Sequence, residues 1–349
     1  MHTSLTRAQG ARRQRWRWTP LLLSSLALLG VMVVATGVGS VRLAPALVLT
    51  AVWHGVTGEL VGSGDTIVWQ IRLPRVLLAA LVGASLALAG VVYQGIFRNP
   101  LADPYLLGVA SGAGFGAALV IAFAAAVPWL AALGVPLAAF ASALLTVALV
   151  MTLARQGRSL PLVALILAGV VVGSSLTAAT SFMMLMAREQ AVTVLAWLLG
   201  SFGLASWGKL VSVLPFVFVA GLVTLMSARA LNLMQLGDEQ AAQLGLPVEA
   251  FKRALIVVAT LATAAAVSVS GIIGFVGLMV PHAVRLAFGP DHRLLVPLAA
   301  LWGALFMVLA DLLARTLISP AEIPVGVVTA LAGGPFFLYL LRRQGRRTA

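Results

Sequence analysis

Few residues in this chain stand at spacings that could do chemistry. Asp311 and Arg315 are four apart, so on a helix the acid faces and neutralises the base. His282 follows Pro281, and His292 stands in the string GPDHR. A zinc centre needs three or four ligands, and 4 histidines without HExxH spacing and no cysteine supply no such set. Lack of cysteine also excludes disulfides and thiol nucleophiles. GLASWGKL, residues 203–210, comes close to a phosphate-binding P-loop. However, Leu210 stands where magnesium binding needs Ser or Thr, and the string lies between helices rather than after a strand. Gly112, Gly114 and Gly116 form a GxGxG run. With Gly108, the spacing of four places Gly108, Gly112 and Gly116 on one helix face, which suits close helix contact better than dinucleotide binding.

Two polar loop strings are better candidates. RNPLADP, residues 98–104, reads as a rigid turn rich in Pro and turn-favouring residues. NLMQLGDEQAAQLGLPVE, residues 232–249, contains Asp238 and Glu239 followed by Gly245, the start and stop signals of a short helix. Such a helix at a membrane surface would present a shaped face to a soluble partner; the plain alternative is a solvated connector.

The elements that position these loops are membrane helices. Of 349 residues, 61% are hydrophobic and only 9% charged, against about a quarter charged in soluble domains. Mean hydropathy is +1.06, which excludes a water-soluble body and disorder alike. A bilayer core of about 30 Å takes about 20 apolar residues of helix. Runs of that kind extend over 20–40, 74–97, 105–127, 128–154, 161–187, 210–228, 254–271, 294–318 and 324–341. Residues 274–286 form a tenth, shorter piece, and 191–204 a short accessory helix; at membrane depth both must be buried in protein or line a cavity. The expected fold is all-α and polytopic, with about ten transmembrane helices plus short accessory and coupling helices. Residues 1–19 form a basic N-terminus, 20–341 a single membrane domain with its main inner loop at about 230–250, and 342–349 a basic tail. A cleavable signal peptide is the competing reading of the first 40 residues, disfavoured by a long apolar run with no A-x-A site after it.

Charge sets the expected orientation. The chain carries 23 Lys and Arg against 10 Asp and Glu, a formal net charge of +13. In a soluble protein that would suggest nucleic acid. Here ten helices place both basic termini on one side, together with Arg98, Arg155, Arg158, Arg229, Lys252, Arg253, Arg285 and Arg293. Arg42, Arg72, Arg75, Arg188, Lys209 and Arg315 fall on the other side. The positive-inside rule makes the basic-rich side cytoplasmic, so the charge reports topology and no nucleic-acid partner is expected.

At this point the strings resemble a known family. IRLPR (71–75), LVGASLALAGVVYQ (81–94), RNPLADPYLLGVASGAGFGA (98–117), GDEQAAQLGL (237–246), GFVGLMVPHAVR (274–285) and ADLLAR followed by EIPVGVVTALAGGPFF (322–337) are similar, in order and spacing, to FecCD-type permeases. These serve binding-protein-dependent ABC importers of iron-siderophore complexes, haem and cobalamin. Residues 1–70 match only as a generic first span and outer loop. The resemblance implies a plasma (inner) membrane subunit, not an enzyme and without cofactors, that pairs with a second copy of itself. It also implies a cytoplasmic ATPase dimer and a periplasmic or surface-tethered substrate-binding protein. The matching loop would contact the ATPase through Gly237, Asp238, Glu239, Gln240, Ala241, Leu244 and Gly245. Arg72, Arg75 and Arg315 would meet acidic residues of the binding protein, their plain alternative being interfacial anchoring.

The residues agree with an externally driven conduit. A stretch such as VVGSSLTAATSFMMLM, 171–186, offers a small, hydroxyl-bearing lining without a tight site. Paired carboxylates or proton relays of an ion-coupled carrier, the rival class, are missing from the spans, and a membrane enzyme lacks clustered titratable groups. For the substrate, an iron-siderophore ranks first, then haem, then cobalamin. Arg188 and the methionines near it are a candidate contact for an acidic ligand, with a simple interfacial arginine as the alternative.

Overall fold

The computed structural model describes residues 2–39, 43–157 and 159–348; Arg42 and Arg158, placed above on the outer and inner sides, lie outside it, as do the side chains of 2–17 and 339–348. The helices in chain order are α1 (His2–Gly37), α2 (Pro45–Thr57), α3 (Gly62–Thr66), α4 (Leu73–Phe97), α5 (Val109–Phe123), α6 (Pro128–Leu133), α7 (Val135–Ala154), α8 (Leu162–Met186) and α9 (Ala191–Leu198). They continue with α10 (Trp207–Met226), α11 (Ala228–Met234), α12 (Asp238–Gln243), α13 (Val248–Ser270), α14 (Val276–Phe288), α15 (His292–Thr316) and α16 (Val325–Thr348). Among the described residues, seven stretches are long and apolar enough to cross a bilayer; α5, α14 and residues 325–338 of α16 are shorter apolar helices. Together these ten correspond to the expected ten.

Two expected spans are cut by backbone geometry, and the expected gap before residue 274 is found. Gly108 at φ +80° ends the turn Pro104–Leu107 and starts α5 late, and Gly134 at φ +72° separates α6 from α7. Gly271 (φ +72°) and Phe275 (φ +70°) break the chain between α13 and α14. Open backbone groups at such breaks must be satisfied inside the protein. They are: Ser201 donates to the Ser270 carbonyl (2.8 Å), Val325 to Gly200 (3.0 Å) and Gly326 to Leu199 (3.1 Å), while the Tyr105 hydroxyl donates to Ile273 (3.0 Å).

α4 is the hub, packed against α15, α13, α10 and α14. Its glycines permit backbone contact: a Cβ on Gly83 would lie 2.1 Å from the Gly303 carbonyl oxygen, and one on Gly90 1.9 Å from that of Gly277. The expected small face of α5 does the same, since a Cβ on Gly112 would meet Thr146 Oγ1 at 2.3 Å and one on Gly116 the Ala138 carbonyl at 2.4 Å.

The segment between α1 and α4 folds more than expected. α2 and α3 close on each other through His54 Nδ1 and Asp65 Oδ2 at 2.7 Å. Helix then continues through a π-helical turn, Ile67–Arg72, into α4. That widening precedes Pro74, which has no N–H for the helical ladder, and the Trp69 carbonyl instead accepts from the Trp207 indole at 3.0 Å.

Candidate coupling site, pathway and outer latch

Gly237, at φ +117°, turns the chain out of α11, and Gly245, at φ +88°, turns it back toward α13. Between them α12 has two faces. Ala241 is fully buried, whereas Glu239, Gln240, Gln243, Leu244 and Gly245 are exposed. Asp238 folds inward to a short bond with the buried Lys252 and lies 3.8 Å from Arg98. Glu249 accepts from the Leu160 N–H at 2.8 Å and stands 3.7 Å from Lys252. Two of the seven candidate coupling residues, Asp238 and Ala241, therefore anchor the helix, and Gly237 and Gly245 set its turns. Glu239, Gln240 and Leu244 form the displayed surface.

Behind this helix lies a group that sequence spacing did not reveal. The Asn232 amide donates to Asp291 at 2.8 Å, while its carbonyl oxygen accepts the His292 N–H at 3.0 Å and faces His292 Nδ1 at 2.7 Å. Gln94 accepts from Arg285 at 2.8 Å and donates to the Leu278 carbonyl at 3.0 Å. One set of bonds thus ties α11 to the start of α15, and a second ties α4 to α14. Nearby, RNPLADP forms the expected turn: Asp103 accepts from the Tyr105 N–H at 2.7 Å, and burial raises its carboxyl above the usual carboxylate range.

A cavity of about 990 Å³ runs between α5 and α8, lined by Ser111, Gly173, Ser174, Thr177, Ser181 and Met184 among others. α8 is the least buried of the long helices, 17% against 78% for the stretch containing α4, so its outer face is open for a partner or a passage. The hydroxyls of Thr177 and Ser181 donate to carbonyls four residues back, at 2.9 and 3.0 Å. They offer a substrate acceptor lone pairs, and Asp103 adds a carboxyl to the same wall.

At the opposite end the three candidate docking arginines face inward. Arg72 is 6% exposed and donates to the carbonyls of Thr36 (3.2 Å) and Gly37 (3.0 Å). The Arg315 side chain, 6% exposed, bonds the Ala35 and Val38 carbonyls. Two guanidinium groups thus satisfy the open carbonyls that end α1. Arg75, 11% exposed, grips Asp311 at 2.8 Å on one side and Glu322 at 2.9 Å on the other. The expected Asp311–Arg315 pair exists at 3.5 Å, but the closer partner of Asp311 is Arg75. Of this latch, Glu322 is the outward member, 43% exposed, and the Arg75 hydrogen bond holds its carboxyl below the usual glutamate range. Arg188 stands apart on an exposed turn, Arg188–Gln190.

A helical membrane body with a displayed helix at one end and an open, hydroxyl-bearing cavity is the architecture of a transport permease. The chain belongs to the FecCD transport family, whose model matches residues 7–343. It is 42% identical to the hemin transport system permease HmuU of Yersinia pestis over 331 residues, 94% of this chain and 97% of the relative. It is 47% identical to the cobalamin import system permease BtuC of Halobacterium salinarum over 280 residues, 80% and 74% of the two chains. A solved structure described as an inward-facing, metal-chelate type ABC transporter superposes with a TM-score of 0.81 at 33% identity, covering 93% of this chain and 98% of its own. Family members are multi-pass inner-membrane permease subunits of ABC importers. They work as dimers with separate ATPase subunits, which hydrolyse ATP, and with a substrate-binding partner.

Proposed function

We propose that two copies of this chain form the pathway by which a metal chelate enters the cytoplasm, with both termini and α12 on the cytoplasmic side. The observation that carries the reading is the two-faced α12. Asp238 and Ala241 lock it to the membrane body, while Glu239, Gln240 and Leu244 are presented to a soluble partner. ATP-driven closure of the ATPase pair would move α12 with its anchors and so shift the permease between inward-open and outward-open states. Gly237 and Gly245 would supply the turns that let α12 stand out from the body. Arg72, Arg75 and Arg315 would serve the binding protein at one remove, by shaping the outer end that it meets.

A cavity of about 990 Å³ with hydroxyl and methionine lining suits a bulky cargo whose metal is already wrapped in its own ligand. Among iron-siderophore, haem and corrinoid cargoes, the hemin and cobalamin relatives move haem or a corrinoid ahead of the siderophore. The test is reconstitution of the permease with its ATPase and binding protein in liposomes, followed by uptake of haem, cobalamin and a ferric siderophore with and without ATP. ATP-dependent uptake of haem or cobalamin is expected. Uptake of the siderophore alone would overturn the cargo assignment, and uptake without ATP or ATPase would establish a secondary carrier instead.

A further inference from the structure

GLASWGKL, which is no P-loop, folds as the entry to α10, with Ser206 capping the helix and Lys209 in its first turn. Lys209 lines a second cavity of about 480 Å³, separate from the α5–α8 passage, between the starts of α7 and α10, the end of α13 and α9. Among the described residues, no carboxylate comes within ion-pairing distance of Lys209, and no hydrogen-bond partner reaches its ammonium. Every other basic group at this end that is described and drawn into the protein is matched, Arg75 and Arg315 by Asp311 and Arg72 by carbonyls. A half-buried cation in a membrane protein without a counter-charge is costly, and its position in a cavity points to an anion supplied from outside the chain.

The chemistry around it narrows the anion. Lys209, the hydroxyl of Thr193 and that of Ser201 are donors on the wall. Ser268 and Ser270 have already donated to the carbonyls of Ala265 (2.8 Å) and Ala266 (2.9 Å), so their oxygens remain as acceptors. A phosphate would use the donors, and a hydroxyl carried beside it the acceptors. The depth is that of a membrane interface: Trp197 lines the cavity, Trp207 lies two residues before Lys209, and Trp129 is 66% exposed just ahead of α7. Flanking helices α7 and α10 expose Leu137, Leu145 and Val219, surfaces suited to acyl chains. We propose that this cavity holds the headgroup of an anionic, hydroxyl-bearing glycerophospholipid of the outer leaflet, with Lys209 on its phosphate.

Full-length permease would be incorporated into phosphatidylcholine bilayers with or without phosphatidylglycerol, extracted in mild detergent, and its retained lipid counted by native mass spectrometry beside its thermal unfolding midpoint. The wild type is expected to retain phosphatidylglycerol over phosphatidylcholine by about fivefold, the preference one surface cation gives an anionic lipid. Lys209→Gln should abolish that preference and Lys209→Arg keep it, with size-exclusion profiles showing that both fold. Equal retention of the two lipids by wild type, or unchanged selectivity in Lys209→Gln, would overturn the proposal. Protection by inorganic phosphate in phosphatidylcholine alone would reassign the cavity to a soluble anion. Burial of the cavity by a second copy would appear as a dimer retaining neither lipid, and that too would refute it.

Discussion

Asp311 and Glu322 both pair with Arg75, yet their removal should have very different consequences. The Asp311 side chain is 1% exposed and also neutralises Arg315, whereas Glu322 is 43% exposed. Asp311→Asn keeps the volume but leaves two nearly buried guanidinium groups short of one carboxylate. Breaking a buried pair from one side costs about 3–5 kcal/mol, which is more than a hundredfold in the unfolding equilibrium at about 1.4 kcal/mol per decade. Glu322→Gln removes a solvent-screened partner and should cost about 0–1 kcal/mol. Equilibrium unfolding in mixed detergent micelles, followed by tryptophan fluorescence, would measure both. Arg75→Gln in the Asp311→Asn background should cost less than the sum of the two single changes, because the second change removes a charge already stranded. Similar losses for Asp311→Asn and Glu322→Gln, or strict additivity with Arg75→Gln, would refute the latch.

Other outcomes can be checked singly. Because Arg75 lowers the Glu322 carboxyl from its ordinary 4.5, that bridge is fully present above pH 4.5 and is lost as pH falls through the lowered value. Glu322→Gln should therefore lower stability slightly at neutral pH, flatten the acid limb of a stability–pH curve and converge with the wild type in acid. Glu239→Arg, on the exposed face of α12, should leave membrane insertion intact but uncouple ATP hydrolysis from uptake; unchanged uptake in proteoliposomes would count against the coupling role. Asn232→Leu removes one donor to Asp291 and the acceptor of the His292 N–H and should lower uptake per ATP hydrolysed, measured as both rates in the same proteoliposomes. Gly83→Ala places a Cβ against the Gly303 backbone and should destabilise by about 1–3 kcal/mol or more, whereas Gly334→Ala, with open space around it, should be neutral in the same unfolding assay.

Hydropathy and the family strings made the ten membrane helices legible, because a bilayer demands one simple property over a fixed length. Even the short α14 was readable, since an even helix count was needed to bring the two basic termini together. Breaks inside the apolar runs were less visible: Gly108 and Gly134 divide expected spans by adopting positive φ, which apolar composition does not report, whereas the gap at Gly271 was read correctly. α2 escaped notice because its 13 residues are too few for a span and its region lacked family strings. The α12 signals, acidic start and glycine stop, gave the right helix but not its two faces, since Asp238 is turned inward by Lys252 from 14 residues away. Spacing found Asp311 beside Arg315, but the closer partner, Arg75, is 236 residues distant. Asn232 and Asp291 were likewise invisible as a pair.

The packing also decides where force applied at α12 would go. One buried apolar cluster joins α4, α10, α14, α15 and the end of α13, with Ala35 of α1 buried in it. A second joins the end of α4, with Ala89, Val92, Tyr93 and Ile96, to α5, α7, α8, α11, α12 and α13, with Ala241, Leu231, Met234, Val248 and Leu255 in one continuous core. α12 therefore shares a core with α5 and α8, while α11, which leads into it, also packs on α4 and α15. α13 touches α4 and α10 on one side and α5 and α7 on the other, so it is the seam. Because packed bodies shift against one another rather than deform continuously, a displacement of α12 would be passed on through α11 and α13, the helices it packs against. The latch, tied through short bonds to α1, α4 and α15, would then act as the fixed frame against which the passage opens.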